Sequence, residues 1–272
     1  MRNIKLTIAY DGANFHGWQV QPDVPTIQGA LNEAAAKITQ EKIIMHGASR
    51  TDTGVHALGQ VAHFRTHSEL SAAEFQRALN GVLPPSVRIM AAEEVGPDFH
   101  SRWQSLAKTY RYRIFRGRVL PPFDYLRALH YPYPLDEEAM AAAARAFEGE
   151  HDFSSFAASA GSEDDDRDRL ATRVIYSSEI VREPDRDEIV YLVRGRSFLR
   201  YMVRNIAGTL IEVGKGRLSV ADLAGIFEAR DRTAAGPTMP AEGLYLVSLE
   251  YPDPADSLAS TSLRSRQNRA GD

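Results

Sequence analysis

The sequence contains no cysteine, which excludes a disulfide framework, a thiolate nucleophile and any zinc or iron–sulfur centre built on sulfur ligands. It also lacks any run near the roughly 18 apolar residues that a membrane-spanning helix needs. Its first residues, Met1-Arg2-Asn3-Ile4-Lys5, lead straight into an alternating strand pattern rather than an apolar leader. The expectation is a cytoplasmic protein without membrane partners. No glycine-rich phosphate loop, no His-Glu-x-x-His pair and no metal-ligand cluster occurs, so no cofactor and no metal are expected. An excess of charge of one sign is missing as well. The 36 acidic and 32 basic residues leave a net −4, and the whole-chain balance announces no polyanionic partner.

What is present is an ordinary globular composition, 272 residues with 43% hydrophobic and 25% charged, enough for one large domain or two smaller ones. Charge is distributed unevenly. The stretch from Lys108 to Arg118 carries five basic residues and no acid, interleaved with Tyr110, Tyr112 and Phe115. The stretch from Glu163 to Arg169 concentrates five acids and reads as a solvated loop.

Periodicity places the elements. Residues 4–10 alternate apolar and polar and stop at Asp11-Gly12, the pattern of a strand running into a turn. Thr26 is positioned to cap a helix with Ile27, Leu31, Ala34 and Ile38 on one face. Strands are expected over residues 42–48 and 59–66, with a polar loop from Ser49 to His56 between them. Ser71 and Glu74 form a capping box for a second helix, and residues 87–94 close the set as a strand. The order β-α-β-β-α-β is the ferredoxin-like unit. It recurs beyond residue 105: a strand over 107–116, a helix over 137–147, strands over 173–181 and 188–193, helices over 198–213 and 221–229, and a last strand over 244–250. The expected fold is therefore α+β. Two pseudo-symmetric ferredoxin-like halves, residues 1–105 and 106–253, would have their antiparallel sheets joined around a central cleft, and residues 254–272 would form a disordered tail.

The loop Ser49-Arg50-Thr51-Asp52-Thr53-Gly54-Val55-His56 holds the densest chemistry. A lone loop aspartate is usually turn chemistry or a solvated carboxylate, but Arg50 two residues earlier could keep this one ionised for attack on carbon. Asp52-Thr53-Gly54 is also the triplet of aspartic proteases. That chemistry shares a proton between two such triplets, and the chain has one. His63 and His67, four apart, fall at a strand end rather than on a helix and read as polar surface residues.

Residues 49–57, Ser-Arg-Thr-Asp-Thr-Gly-Val-His-Ala, resemble the G-R-T-D-x-G-V-H-A signature of the TruA-type tRNA pseudouridine synthase family. Four further segments agree in order: Tyr10-Asp11-Gly12 with Phe15, Gly17, Trp18, Gln19 and Gln21; residues 108–112; Phe198-Leu199 with Met202-Val203-Arg204-Asn205; and residues 241–244. The departures are Ser49 for the usual glycine, Thr53 for the common alanine, and Arg200-Tyr201.

The resemblance implies an isomerase that converts uridine to pseudouridine at positions 38, 39 and 40 of the tRNA anticodon stem-loop, without a cofactor and as a homodimer. It implies that Asp52 is the nucleophile, attacking either ribose C1′ or uracil C6, that Arg204 is its basic partner, and that Tyr110 stacks on the extruded uracil and assists proton transfer. Leu244 would lie under the ring. Helical periodicity by itself leaves Arg204 well round from the core face. A stacked uridine must be flipped out at a cost of roughly a few kcal/mol, so a track of phosphate contacts is expected from Arg50, Lys108, Arg111, Arg113, Arg116, Arg196 and Arg200. The competing class is a non-catalytic RNA-binding module of RRM-like architecture. Its RNP1 string is absent, and a carboxylate inside an RNA cleft would only repel phosphate.

Overall fold

In the first half of the chain, the alternation Ile4, Leu6, Ile8, Tyr10 puts one face of β1 (Arg2–Tyr10) into the core. The helix α1 (Ile27–Thr39) begins where expected, with the Thr26 hydroxyl accepting from Gly29 N at 3.2 Å. The helix α2 (Ala72–Val82) opens on a complete capping box between Ser71 and Glu74, worth about 1 kcal/mol, and buries Phe75 and Leu79. Between the helices run β2 (His46–Gly47) and β3 (His56–Thr66), and β4 (Val87–Val95) follows α2. The second half holds β5 (Ala107–Phe115), β6 (Leu129–His130), α3 (Glu137–Arg145), β7 (Gly149–Asp152), β8 (Thr172–Glu183), β9 (Glu188–Gly195), α4 (Met202–Gly214), α5 (Asp222–Ala229) and β10 (Leu244–Glu250). These elements come from a computed structural model that describes residues 1–158 and 171–252; the acidic segment and the expected tail lie outside the described residues.

Among the described residues the strands form one ten-stranded sheet in the order β4-β1-β3-β10-β5-β9-β8-β7, with β2 added to β3 and β6 to β5. The fold is thus mixed α and β, with these strands joined in a single sheet. The seam is β10, antiparallel to β5 and parallel to β3 through Tyr245 opposite His56 and Leu246 opposite Ala57. The last described strand thereby brings the second half against the end of β3 nearest the Asp52 loop. Among the described residues no helix is long and apolar enough to cross a membrane.

Three expectations need correction. Residues 42–48 are not a full strand; only His46 and Gly47 pair with β3. Helix side chains take over the ladder's role: Asn32 Oδ1 accepts from Met45 N at 2.8 Å and Gln28 Nε2 donates to Met45 O at 2.8 Å. Buried backbone groups need a partner, not necessarily a strand. The helix expected from residue 198 starts at Met202, because Tyr201 adopts a left-handed conformation with φ 64° that a continuing helix cannot contain. His63 is no surface residue. It is buried, stacked on His46 at 5.1 Å, set edge-on to His100 at 4.7 Å and bonded to Ser101 Oγ at 2.9 Å. Desolvation, reinforced by the neighbouring His100 and His46, lowers its pKa to about 4, so the ring is neutral at physiological pH. His67 lies beyond the end of β3 and is exposed.

Candidate active site

Residues 48–55 connect β2 to β3, and the segment after β1 is folded underneath them. Tyr10 and Thr51 share a hydroxyl hydrogen bond of 2.8 Å, Trp18 N donates to Thr51 O at 3.0 Å, and Gly54 N donates to Phe15 O at 3.3 Å. A turn closes the loop, with Val55 N donating to Asp52 O at 3.1 Å and Gly54 at φ 79°. A positive φ at that turn position favours glycine. Gly12 is required by close approach: a Cβ there would lie 2.0 Å from the Val55 carbonyl oxygen. The N-terminal motif is therefore the platform of the Asp52 loop.

Two further side chains brace the loop, and sequence reasoning did not single them out. Gln60, fully buried in β3, donates to Ser49 O at 2.7 Å and accepts from Ser49 N at 3.2 Å. The signal available was an amide between apolar strand neighbours. His56 accepts from Gly12 N at Nδ1 (3.1 Å), which requires Nε2 to carry the proton it donates to Leu126 O (2.9 Å). Its ring stacks on Tyr245 at 4.6 Å, and burial lowers its pKa. It is a neutral bracket between the loop and residues 122–127.

Asp52 sits at the loop's open side with its side chain 22% exposed. Each carboxylate oxygen has its own cation: Arg204 Nη1 lies 3.5 Å from Oδ2 and Arg200 Nε lies 3.7 Å from Oδ1. Burial pushes the pKa of Asp52 above the usual aspartate value, while Arg204 and then Arg200 pull against that rise. Two guanidiniums within 4 Å favour the charged form. Arg204 is anchored independently, since its Nε donates to Met239 O at 2.7 Å and its guanidinium lies 4.9 Å from the Tyr201 ring centre. Periodicity put this arginine outside the core face. The segment after α5 folds back over that side of the helix, leaving the Arg204 side chain only 15% exposed.

On β5, Tyr110 and Tyr112 are buried on one face. The Tyr110 hydroxyl meets Ser49 Oγ at 2.8 Å, its ring packs edge-on to Phe198 at 5.0 Å, and burial pushes its pKa up to about 12. Ser49, the departure from the family signature, thus supplies the partner that a buried phenol needs. Tyr112 donates to Pro240 O at 2.8 Å, tying the strand to the segment that anchors Arg204. Lys108 is joined to the same loop, donating to Ala48 O at 3.0 Å. Leu244 opens β10 opposite Tyr112 and is buried. Arg50, Arg196 and Arg200 are exposed.

Arg111 and Arg113 are not brought to this site, because the strand's pleat turns alternate side chains to the opposite face. Arg111 lies over the Tyr245 ring at 4.7 Å. Arg113 is buried in a bidentate pair with Glu188 and reaches Asp124 at 2.8 Å. Arg116, toward the other end of that strand, is half-buried, and burial lowers its pKa.

The chain matches the family model described as tRNA pseudouridine synthase over residues 6–104 and 143–252. A protein of Solibacter usitatus named tRNA pseudouridine synthase A is 50% identical over 251 residues, covering 92% of this chain and 100% of that protein. One of Desulfotalea psychrophila named tRNA pseudouridine synthase A 1 is 44% identical over 254 residues, with 92% and 100% covered. Among solved structures, a chain of a Cbf5-Nop10-Gar1 complex overlays at 17% identity with a TM-score of 0.28, covering 77% of this chain and 54% of that one. That superposition is too loose to bear on topology.

Proposed function

Because the chain belongs to the tRNA pseudouridine synthase family, an isomerase family, we propose that it converts uridines 38, 39 and 40 of the tRNA anticodon stem-loop to pseudouridine, with Asp52 as nucleophile. The observation that carries the reading is the Asp52 carboxylate, partly exposed at a loop apex with one guanidinium on each oxygen. Asp52 attacks C1′ or C6, the N1–C1′ bond breaks, the uracil turns over, and C5 bonds to C1′. The hydrogen leaving C5 is matched by one gained at N1, so the product is an isomer and needs no oxidant. Arg204, fixed through Met239, keeps the carboxylate charged, and Tyr110 supports the flipped ring and handles a proton. Leu244 lies beneath it.

The phosphate contacts that repay base flipping fall to Arg50, Arg196 and Arg200, with Lys108 holding the loop. Residues 1–105 and 106–253 form two ferredoxin-like halves in this reading, supported by strand orders β4-β1-β3-β2 and β10-β5-β9-β8 on either side of the seam. The enzyme works as a cytoplasmic homodimer. The test is site-resolved pseudouridine mapping on unmodified tRNA incubated with the purified protein. Signal at 38 to 40 is expected; signal elsewhere, or none, overturns the assignment.

Gly12→Ala tests the platform. Forcing a Cβ against Val55 O is overpacking, which costs about 1–3 kcal/mol. A loop displaced by about 1 Å loses on the order of 100-fold in rate. Thermal melting and single-turnover rates check both, and a wild-type rate would show that Asp52 is positioned without this contact.

A further inference from the structure

The two arginines on Asp52 are held differently. Arg204 is mostly buried, its Nε donates to Met239 O at 2.7 Å, and its Nη1 lies 3.5 Å from Oδ2. Arg200 is 54% exposed and belongs to no helix; its backbone carbonyl accepts from Ala158 N at 3.0 Å, and among the described residues its other side-chain contacts are with the adjacent Tyr201, at 3.3 Å to the hydroxyl and 4.9 Å to the ring centre. The turn that carries it is strained at Tyr201, with φ 64°. Oδ1 is therefore capped by the less restrained of the two cations.

We propose that Arg200 is an exchangeable counter-ion: it caps Oδ1 of Asp52 in the free protein and moves to an RNA phosphodiester on binding, uncovering the oxygen that attacks. A guanidinium 3.7 Å from Oδ1 occupies the space that an electrophilic carbon needs at about 3–3.5 Å. Phosphate offers an arginine bidentate, charge-assisted hydrogen bonds, whereas a long contact made by an exposed side chain is weak. Binding and uncapping are thereby one event, and the nucleophile stays covered until RNA arrives. This inference rests on the reading of Asp52 as nucleophile.

Among the described residues, Asp52 is faced by Arg204 from α4, by Arg200 from the preceding turn and by Tyr110 from β5, with Glu242 beyond Arg204. Removing Arg200 removes one of the charges that favour ionisation, but only where Arg200 is in place.

The experiment measures single-turnover rates against pH for wild type, Arg200→Gln and Arg200→Lys, at limiting and at saturating protein over unmodified tRNA. Rates at limiting protein report the free protein's ionisations, and rates at saturation report those of the complex. For Arg200→Gln the acid limb shifts to higher pH at limiting protein and coincides with wild type at saturation. Arg200→Lys returns the first limb toward wild type. The salt slope of tRNA binding falls by about one for Arg200→Gln. A limb that moves equally in both regimes, or in neither, overturns the exchange. An Asp52→Asn variant with full pseudouridine yield would instead overturn the reading beneath it. A dead Asp52→Asn with the wrong limb behaviour sinks only this inference.

Discussion

Asp52→Asn is expected to lower pseudouridine formation by roughly 10⁴-fold or more while tRNA affinity stays within a few-fold of wild type. Asparagine keeps the shape and both hydrogen-bonding positions but has no anion to attack carbon. Removing a nucleophile leaves only the residual catalysis of binding and electrostatics. Affinity should hold or rise slightly, because a negative charge is withdrawn from a surface that receives a polyanion and Arg200 and Arg204 remain. Stability should not fall. The pKa of Asp52 is raised in the folded protein by burial, so ionising it opposes folding at any pH above that raised value. The amide mimics the protonated form and escapes that penalty. Yield and binding are measured on the same unmodified tRNA, and undiminished yield would remove Asp52 from the chemistry.

Arg113→Ala should produce the largest loss of stability with no loss of RNA affinity. Both partners of the Arg113–Glu188 pair are nearly sealed, with side chains 8% and 2% exposed, and Arg113 also bonds Asp124, Arg127 O and Tyr245. Deleting the cation leaves a carboxylate buried without compensation, which costs about 3–5 kcal/mol. At roughly 2–4 °C per kcal/mol for a chain of this size, the midpoint should fall by about 6–20 °C. Adding Glu188→Leu to the variant should recover much of that loss, since an apolar pair of similar volume is often tolerated. Binding measured below the transition should match wild type, because Arg113 points away from the face of Tyr110. An affinity loss with a shallower salt slope would instead return Arg113 to the phosphate track.

Arg111 and Arg113, expected on the phosphate track, lie away from the Tyr110 face for a reason the strand itself contains. Lys108, Tyr110 and Tyr112 share one face of β5, and period-two alternation turns Arg111 and Arg113 to the other. What local pattern could not say is that the second face is covered. Asp124 and Arg127 come from a segment with no periodicity, and Glu188 reads as an ordinary exposed acid until β9 pairs with β5. Arg204 shows the converse. Its helical position favoured solvent, and only residues 236–240, folded back over α4, make it a partly buried anchor.

By itself the sequence determined the short-range features: the alternation of β1, the caps of α1 and α2, the limits of β10, and an Asp52 loop whose residues form one contiguous motif. These rest on backbone preferences and on contacts within a few residues, which local patterns encode directly. Only the tertiary structure decided that β10 joins β3 to β5, that Gln60 and His56 brace the loop, and that two arginines about 150 positions from Asp52 each face a different oxygen. Such meetings depend on long-range strand pairing and on which faces are finally covered. The free energy of those contacts exists only once distant segments have packed, so no single segment carries their signature.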